Sequence, residues 1–414
     1  MLFFNKICFS ALSRHAANHC LATQNPQQFT TAKASTPPHL YIIHTTRTII
    51  ITQDHRIHLV PRPFDLNFLP QPAMASYSMG FLIAIVVCAC ALSTLAARDL
   101  TDDSAIVVRH EQWMTKYGRV YNDAAEKARR LEVFKANVAF IELVNARNDK
   151  FWLEANQFAD ITNDEFRATH TGFKLPLGGS KGRRMTSFRY ANVSLDALPT
   201  AVDWRTKGAV TPIKNQGQCG CCWAFSTVAS MEGIVQLSTG KLISLSEQEL
   251  VDCDTSDNGC GGGLMDNAFE FIVKNNGLTT ETNYPYIGAD DTCNSNMASS
   301  VAASITGHED VPANDEASLQ KAVAAQPVSV AVDGGDDLFR FYKGGVLSGE
   351  CGTGLDHGIA AVGYGVSDDG TKFWVMKNSW GTSWGEDGFI RMERDIAAEQ
   401  GLCGLAMQPS YPTA

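Results

Sequence analysis

The sequence predicts an α+β fold with two lobes of different character, preceded by a helical region. Two observations carry this. After Leu198 the helix-length apolar stretches come first, and after about residue 310 the pattern shifts to short strand-like runs broken by glycine. Eight of the twelve cysteines lie after residue 218 and none between 91 and 218, the clustering of a disulfide framework in an oxidising compartment. A length of 414 residues suggests more than one unit, and 44% hydrophobic with 19% charged residues suits a soluble globular protein. Residues 198–414 hold 28 Asp+Glu against 12 Lys+Arg, net -16, while the rest of the chain is +6. So acidic a half argues against nucleic acid or anionic membrane as its partner.

Residues 1–73 read as a disordered extension, with prolines at 37, 38, 61, 63, 70 and 72 and few acidic residues. It is either a transit-like segment or, the favoured reading, a stretch upstream of a working start at Met74 or Met79. Residues 74–97 read as a signal peptide: "GFLIAIVVCACALSTLAA" (80–97) has an apolar core and a small-residue exit, with cleavage near Ala96 or Ala97. The run just reaches the roughly 18 residues of a membrane span, so a signal anchor is the alternative. After cleavage no membrane association is expected.

Within 98–197, residues 105–167 read as mostly helical. Leu131, Phe134, Val138, Ile141 and Val144 fall on one helical face, and Asp123 is the candidate N-cap. Residues 172–197, with "LPLGGSKGRRM", read as an extended linker, and Asn192-Val193-Ser194 is a glycosylation sequon in it. From Leu198 onward, Cys222–Leu237 reads as a buried helix with Gly240 as its stop. "SLSEQELVDC" and "LMDNAFEFIVKNN" read as two more helices. "PVSVAVD", "GIAAVGYG", "KFWVMKN" and "GFIRME" read as strands.

The chemistry concentrates in "NQGQCGCCWAFS" (215–226), where Cys219, Cys221 and Cys222 fall within four positions. Cys222 lies where a Gly-rich turn meets a helix start, whose unpaired N–H groups and partial positive charge favour a thiolate. A nucleophile needs a base, and the base needs an orienting group. His308 and His357 are the only histidines after residue 198. His308, in "TGHEDVP", reads as a loop histidine. His357 lies 135 residues beyond Cys222 and Asn378 lies 156 residues beyond it. Cys219 and Cys222 have CxxC spacing, but no second close pair follows for zinc and no βαβ pattern surrounds them for a redox motif. No metal and no cofactor are expected. Adjacent cysteines bridge only with distortion, which speaks against pairing Cys221 with Cys222; the connectivity of the rest is left open.

The run Cys219-Gly220-Cys221-Cys222-Trp223, followed far downstream by "LDHGIAAVGYG" and "KNSWGTSWGEDGF", resembles the papain-like cysteine proteases, most closely their plant, cathepsin L-like, senescence-associated type. It departs from the family pattern in one place, Cys221, where Ser or Ala is usual. The resemblance covers about residues 108–414. It implies a papain-like two-lobed fold, with a helical left lobe, a β-barrel-like right lobe and a cleft between them. It implies Cys222 as nucleophile, His357 as base and later acid, and Asn378 as the group orienting the imidazole under a shielding Trp380. Gln216 would donate to the oxyanion with the Cys222 backbone N–H. Three disulfides follow from it, Cys219–Cys260, Cys253–Cys293 and Cys351–Cys403, leaving Cys221 a small free thiol.

The same resemblance extends upstream. Glu126-x3-Arg130-x2-Val133-Phe134-x2-Asn137-x3-Ile141-x3-Asn145 and "EANQFAD" (154–160) match the two motifs of the family's inhibitory pro-region, except that Glu154 replaces the usual Gly. The implied domains are a pro-region over 98–197 and a catalytic domain over 198–414. The segment around 160–190 would block the cleft in reverse of substrate direction, with acid loosening its carboxylate pairings. For the second residue before the scissile bond the implied pocket is Leu264, Met265, Ala331, Leu355 and Gln408, with Gly262 and Gly263 presenting backbone, and an apolar preference. The implied function is a monomeric cysteine endopeptidase made as a zymogen. Its partners are protein and peptide substrates and its own pro-region, in the vacuole, lysosome or extracellular space. The alternatives are a non-catalytic binding or storage protein on the same fold, and a redox protein using Cys219 and Cys222.

Overall fold

The computed structural model describes residues 43–44, 47–48, 104–147, 150–174 and 188–414. The signal-peptide reading and the Gly- and Arg-bearing centre of the linker fall outside the described residues. Ile43–His44 pairs antiparallel with Arg47–Thr48.

The pro-region contributes α1 (104–117), α2 (Ala124–Asn145), β1 (Phe151–Leu153) and α3 (Asn163–His170). The Asp123 side chain caps α2 by accepting the Glu126 N–H at 2.7 Å, as its sequence predicts. Phe134, Val138 and Ile141 are the buried stripe of α2. Thr162 and Glu165 close a capping box at the start of α3. The mostly helical reading of 105–167 misses β1, a strand of only three residues whose partner, Tyr342–Leu347, lies far along the chain. The backbone at Glu154 has no positive φ, so glycine is not required there; its N–H donates to the Phe341 carbonyl at 2.9 Å.

After Leu198 come β2 (Val202–Asp203), α4 (Cys222–Thr239), α5 (Glu247–Cys253) and α6 (Met265–Lys274). The sheet region follows: β3 (Gly307–Asp310), α7 (Glu316–Ala325), β4 (Val328–Val332), β5 (Tyr342–Leu347), β6 (His357–Val366), β7 (Lys372–Lys377), β8 (Phe389–Glu393) and β9 (Ser410–Thr413). Gly240 ends α4 in the left-handed conformation at φ 74°, where a side chain would be strained.

Among the described residues one nine-stranded sheet runs in the order β1-β5-β8-β7-β6-β4-β9-β3, with β2 paired to β6. It is open, which corrects the barrel-like lobe expected from the resemblance. One edge of β5 is taken by β1 of the pro-region, and the far end of the order is the short, polar β3. His308 lies on β3, not in a loop, paired opposite Pro412 of β9 and stacked on Phe269 at 5.7 Å. The acidic, polar composition that suggests a loop there is also that of an edge strand.

Helix α4 packs on the sheet through small polar residues. Ser226 Oγ donates to the Ile359 carbonyl at 2.7 Å, and Ser329 Oγ donates to the Ser226 carbonyl at 2.9 Å. A Cβ at Gly358 would stand 3.2 Å from the Cys222 carbonyl oxygen and 3.3 Å from the Met265 sulfur. Glycine therefore lets the start of β6 lie against the start of α4, which brings residues 222 and 357 to one place.

Candidate active site

Cys222 is the first residue of α4, His357 the first of β6, and Asn378 follows the last residue of β7. Gln216 joins them because its strand-like segment pairs with the one after Asn378: the Gln216 N–H donates to the Ser379 carbonyl at 2.8 Å, and the Gly381 N–H to the Lys214 carbonyl at 3.1 Å. All four side chains are buried.

The hydrogen bonds fix the imidazole's working form. The Ser379 N–H donates to Asn378 Oδ1 at 2.7 Å, so that atom is an oxygen acceptor. His357 Nε2 lies 2.8 Å from the same oxygen and must therefore carry the proton it donates. In the neutral ring Nδ1 is left as the basic nitrogen, and it makes no hydrogen bond among the described residues. Trp380 stacks on the ring with centroids 4.4 Å apart.

Burial decides the charge state of this covered form. It pushes the Cys222 thiol up to about 12, against hydrogen bonds from the Gly358, Gly172 and Trp223 backbone. It pulls His357 down to about 4, against its bond to Asn378. Thiol and imidazole are both neutral here. The helix terminus that favours a thiolate on sequence grounds is outweighed by desolvation while the site is covered.

The cover is the pro-region. The Gly172 and Phe173 N–H groups each donate to the Asp356 carbonyl at 2.8 Å. The Lys174 N–H donates to the Gly263 carbonyl at 3.1 Å, and the Gly263 N–H to the Gly172 carbonyl at 2.9 Å, in a parallel bridge between Phe173 and Gly263. A Cβ at Gly172 would be 1.8 Å from the Gly220 carbonyl oxygen, so only glycine passes there. Gly262, at φ 109°, presents its backbone at the same crossing. Gln216 Nε2 donates to the His170 carbonyl at 3.1 Å and to the Cys219 carbonyl at 2.9 Å, and Trp380 Nε1 also reaches the His170 carbonyl, at 3.3 Å.

Phe173 belongs to one buried apolar cluster with Met265, Ala331 and Leu355, against which Leu264 and Met407 pack. Gln408 is half-buried beside Met407. The three expected disulfides are present, Cys219–Cys260, Cys253–Cys293 and Cys351–Cys403. Cys219 is thus unavailable for a dithiol with Cys222. Cys221 is a free, buried thiol 3.0 Å from the Tyr286 hydroxyl. Asn192 is exposed.

Two features escaped the sequence reading. Ser379 touches both halves of the site: its amide holds Asn378, and its Oγ donates to Gln216 Oε1 at 2.6 Å. Beneath the site lies a buried ionic cluster. Lys214 Nζ donates to Glu232 Oε1 at 3.1 Å and Glu247 Oε1 at 2.7 Å, and Lys377 Nζ donates to Thr211 Oγ1 at 2.7 Å with Glu232 at 3.9 Å. The one sequence signal for it was Glu232, the single charged residue of its helix.

Residues 198–413 match the papain family of cysteine proteases, and residues 110–166 match the cathepsin propeptide inhibitor domain (I29). The senescence-specific cysteine protease SAG39 of Oryza sativa subsp. indica is 70% identical over 340 residues, 81% of this chain and 98% of the relative. The senescence-specific cysteine protease SAG12 of Arabidopsis thaliana is 57% identical, covering 80% of this chain and 97% of the relative. Among solved structures, recombinant stem bromelain precursor is similar with a TM-score of 0.68 and 45% identity, covering 75% of this chain and 99% of that one. Bromelain from Ananas comosus in complex with the E64 inhibitor is similar with a TM-score of 0.51 and 47% identity, covering 52% of this chain and 99% of that one. The chain belongs to the papain family of cysteine proteases and is a cysteine endopeptidase made as a zymogen, its catalytic domain preceded by a propeptide inhibitor domain.

Proposed function

We propose that Cys222, His357 and Asn378 carry out peptide-bond hydrolysis through a covalent acyl-enzyme. His357 Nδ1 takes the thiol proton, and the thiolate attacks the scissile carbonyl carbon. Negative charge develops on the carbonyl oxygen, where Gln216 Nε2 and the Cys222 N–H donate to it. The imidazolium returns its proton to the leaving amine, and water then releases the acyl group by the reverse sequence. Asn378 holds the Nε2–H tautomer throughout. The observation that carries this reading is the forced direction of the His357–Asn378 hydrogen bond, which leaves Nδ1 as the base.

In the zymogen the His170 carbonyl oxygen stands in for a substrate carbonyl oxygen at Gln216, and Phe173 for an apolar side chain in the pocket of Leu264, Met265, Ala331 and Leu355. Leu, Val or Phe is therefore preferred as the second residue before the scissile bond. The mature enzyme starts at Leu198, acts as a monomer, and works in the vacuole or outside the cell, an oxidising route consistent with three disulfides. The exposed Asn192 accepts a glycan. An epoxide reagent for active-site thiols tests the reading. It should modify Cys222 alone after activation and nothing in the intact zymogen; modification of Cys221 instead would reassign the nucleophile.

A further inference from the structure

A cation from the pro-region sits in an acidic cradle beside His357. Arg167, in α3, donates through Nη2 to Asp333 Oδ1 at 2.9 Å and through Nη1 to Asp356 Oδ2. Each carboxylate commits only its other oxygen to its own domain. Asp333 Oδ2 accepts the Gly354 N–H at 3.1 Å, and Asp356 Oδ1 accepts the N–H groups of Gly334 at 2.8 Å and Gly335 at 3.2 Å. A Cβ at Gly335 would stand 2.4 Å from the Arg167 guanidinium carbon, so glycine allows the approach. A Cβ at Gly334 would stand 2.5 Å from His357 Cβ, which places the cradle against the catalytic imidazole. Asp336 adds negative charge nearby, while the neighbouring Arg340 is directed to Asp337 at 3.5 Å.

The order of contacts along the pro-region places this cradle in the cleft. Arg167 comes first, then the His170 carbonyl at Gln216, then Gly172 at Cys222, then Phe173 and Lys174 at Gly263. The contacts with the apolar pocket and Gly263 thus follow Gly172 along the pro-region and the contact with the two carboxylates precedes it, with the Asp356 backbone carbonyl taking Gly172 and Phe173 while its carboxylate takes Arg167. When the pro-region leaves, Asp333 Oδ1 and Asp356 Oδ2 lose the one cation that pairs with them among the described residues. Two facing carboxylates held by their own loop amides recruit another.

We propose that Asp333 and Asp356 form a leaving-side subsite that takes a Lys or Arg side chain of the substrate, at the first or second residue after the scissile bond. This rests on the cysteine-protease mechanism proposed above. The basic side chain lies where Arg167 lies, between the two free carboxylate oxygens. A bidentate guanidinium fits better than an ammonium.

The test uses the mature enzyme and quenched fluorescent peptides with Leu fixed as the second residue before the scissile bond. The first and second residues after it are varied among Arg, Lys, Ala and Glu. The expected result is kcat/KM about tenfold higher for Arg than for Ala at one of the two positions, with Glu lowest. The Arg-to-Ala ratio should shrink as NaCl rises from about 0.02 to about 0.5 M, and in Asp333→Asn it should fall towards one. Equal rates for Arg, Ala and Glu in the parent enzyme overturn the subsite and leave the mechanism standing. A preference that survives both salt and Asp333→Asn also overturns it. Cleavage of no peptide at all overturns the mechanism, and the subsite with it. Because the parent enzyme's own ratio and salt dependence decide the matter, the test holds even where Asp333→Asn folds poorly.

Discussion

Asn378 Oδ1 accepts two hydrogen bonds, one from the Ser379 amide at 2.7 Å and one from His357 Nε2 at 2.8 Å. The first makes the second directional. An imidazole forced to donate at Nε2 is basic only at Nδ1. Asn378→Ala removes the constraint without touching substrate. We expect kcat to fall about 10²-fold with a smaller change in KM. Steady-state kinetics on the mature variant check this; a rise in KM at constant kcat would assign Asn378 to binding instead.

The closed zymogen should open as histidines charge. His170 of the pro-region is packed between Phe158 and Phe166 beside Trp380, with Thr169 Oγ1 at 2.7 Å from its Nδ1. Burial holds its pKa down at about 4, helped by Arg119 and Arg340 and opposed by the Phe166 backbone. His357 is likewise depressed to about 4. A base with a lower pKa in the closed form favours closure above its free value of 6.5. For His170, which leaves its packing with the pro-region, that contribution is lost as pH falls from 6.5 towards 4, at most about 3 kcal/mol; His357 keeps Asn378 and Trp380 and contributes only the part of its burial that the pro-region supplies. The lowered carboxylates have their own window: Glu309 ties the catalytic domain to Arg189 of the pro-region, while Glu126 and Glu165, paired with Arg129 and Arg130, stabilise the pro-region's own fold, and each contribution is present above 4.5 and lost below it. Asp356, raised to about 6 by burial, has the opposite sign and does not drive opening. Processing followed on gels should be faster at about pH 5 than at about pH 7, and His170→Phe should move its onset down by about one pH unit. Equal processing at both pH values would remove the histidines from the account.

The apolar pocket makes a ranking. A series of peptides varied only at the second residue before the scissile bond should be cleaved in the order Leu or Phe, then Val, then Ala, with Arg slowest. Leu over Ala should amount to about tenfold or more in kcat/KM. A preference for Arg at that position would contradict the assignment of Leu264, Met265, Ala331 and Leu355.

The ionic cluster beneath the site is a liability once broken. Lys214 is held charged: burial alone would lower its pKa, but Glu247 and Glu232 outweigh it. Lys214→Met leaves two buried carboxylates facing each other and should destabilise the mature protein by about 3–5 kcal/mol, read from its urea midpoint. A change below about 1 kcal/mol would mean that water already screens the cluster.

Much of this was legible in the sequence because it is local. Asp123 before an apolar stripe, Gly240 after one, and the alternating valines of 328–332 each settle their own conformation within a few residues. The candidate site residues Cys222, His357, Asn378 and Gln216 were chosen from their order and motifs, at the starts and ends of elements that the fold brings together. What stayed hidden depends on partners far along the chain. β1 exists because β5 offers an edge nearly two hundred residues away, and His308 is a strand residue because β9 pairs with it. Arg167, His170 and Phe173 lie in a segment that looks like ordinary polar helix and linker. Their roles appear only when the cleft they fill is assembled.

The most direct measurement is the rate of the mature enzyme with Ser at residue 222. An alkoxide is far harder to generate than a thiolate beside the same imidazole, so Cys222→Ser should lose at least about 10³-fold in kcat/KM while the zymogen still folds and its disulfides still form. Peptide hydrolysis by Cys222→Ser at the parent rate would contradict the assignment of Cys222 as the nucleophile.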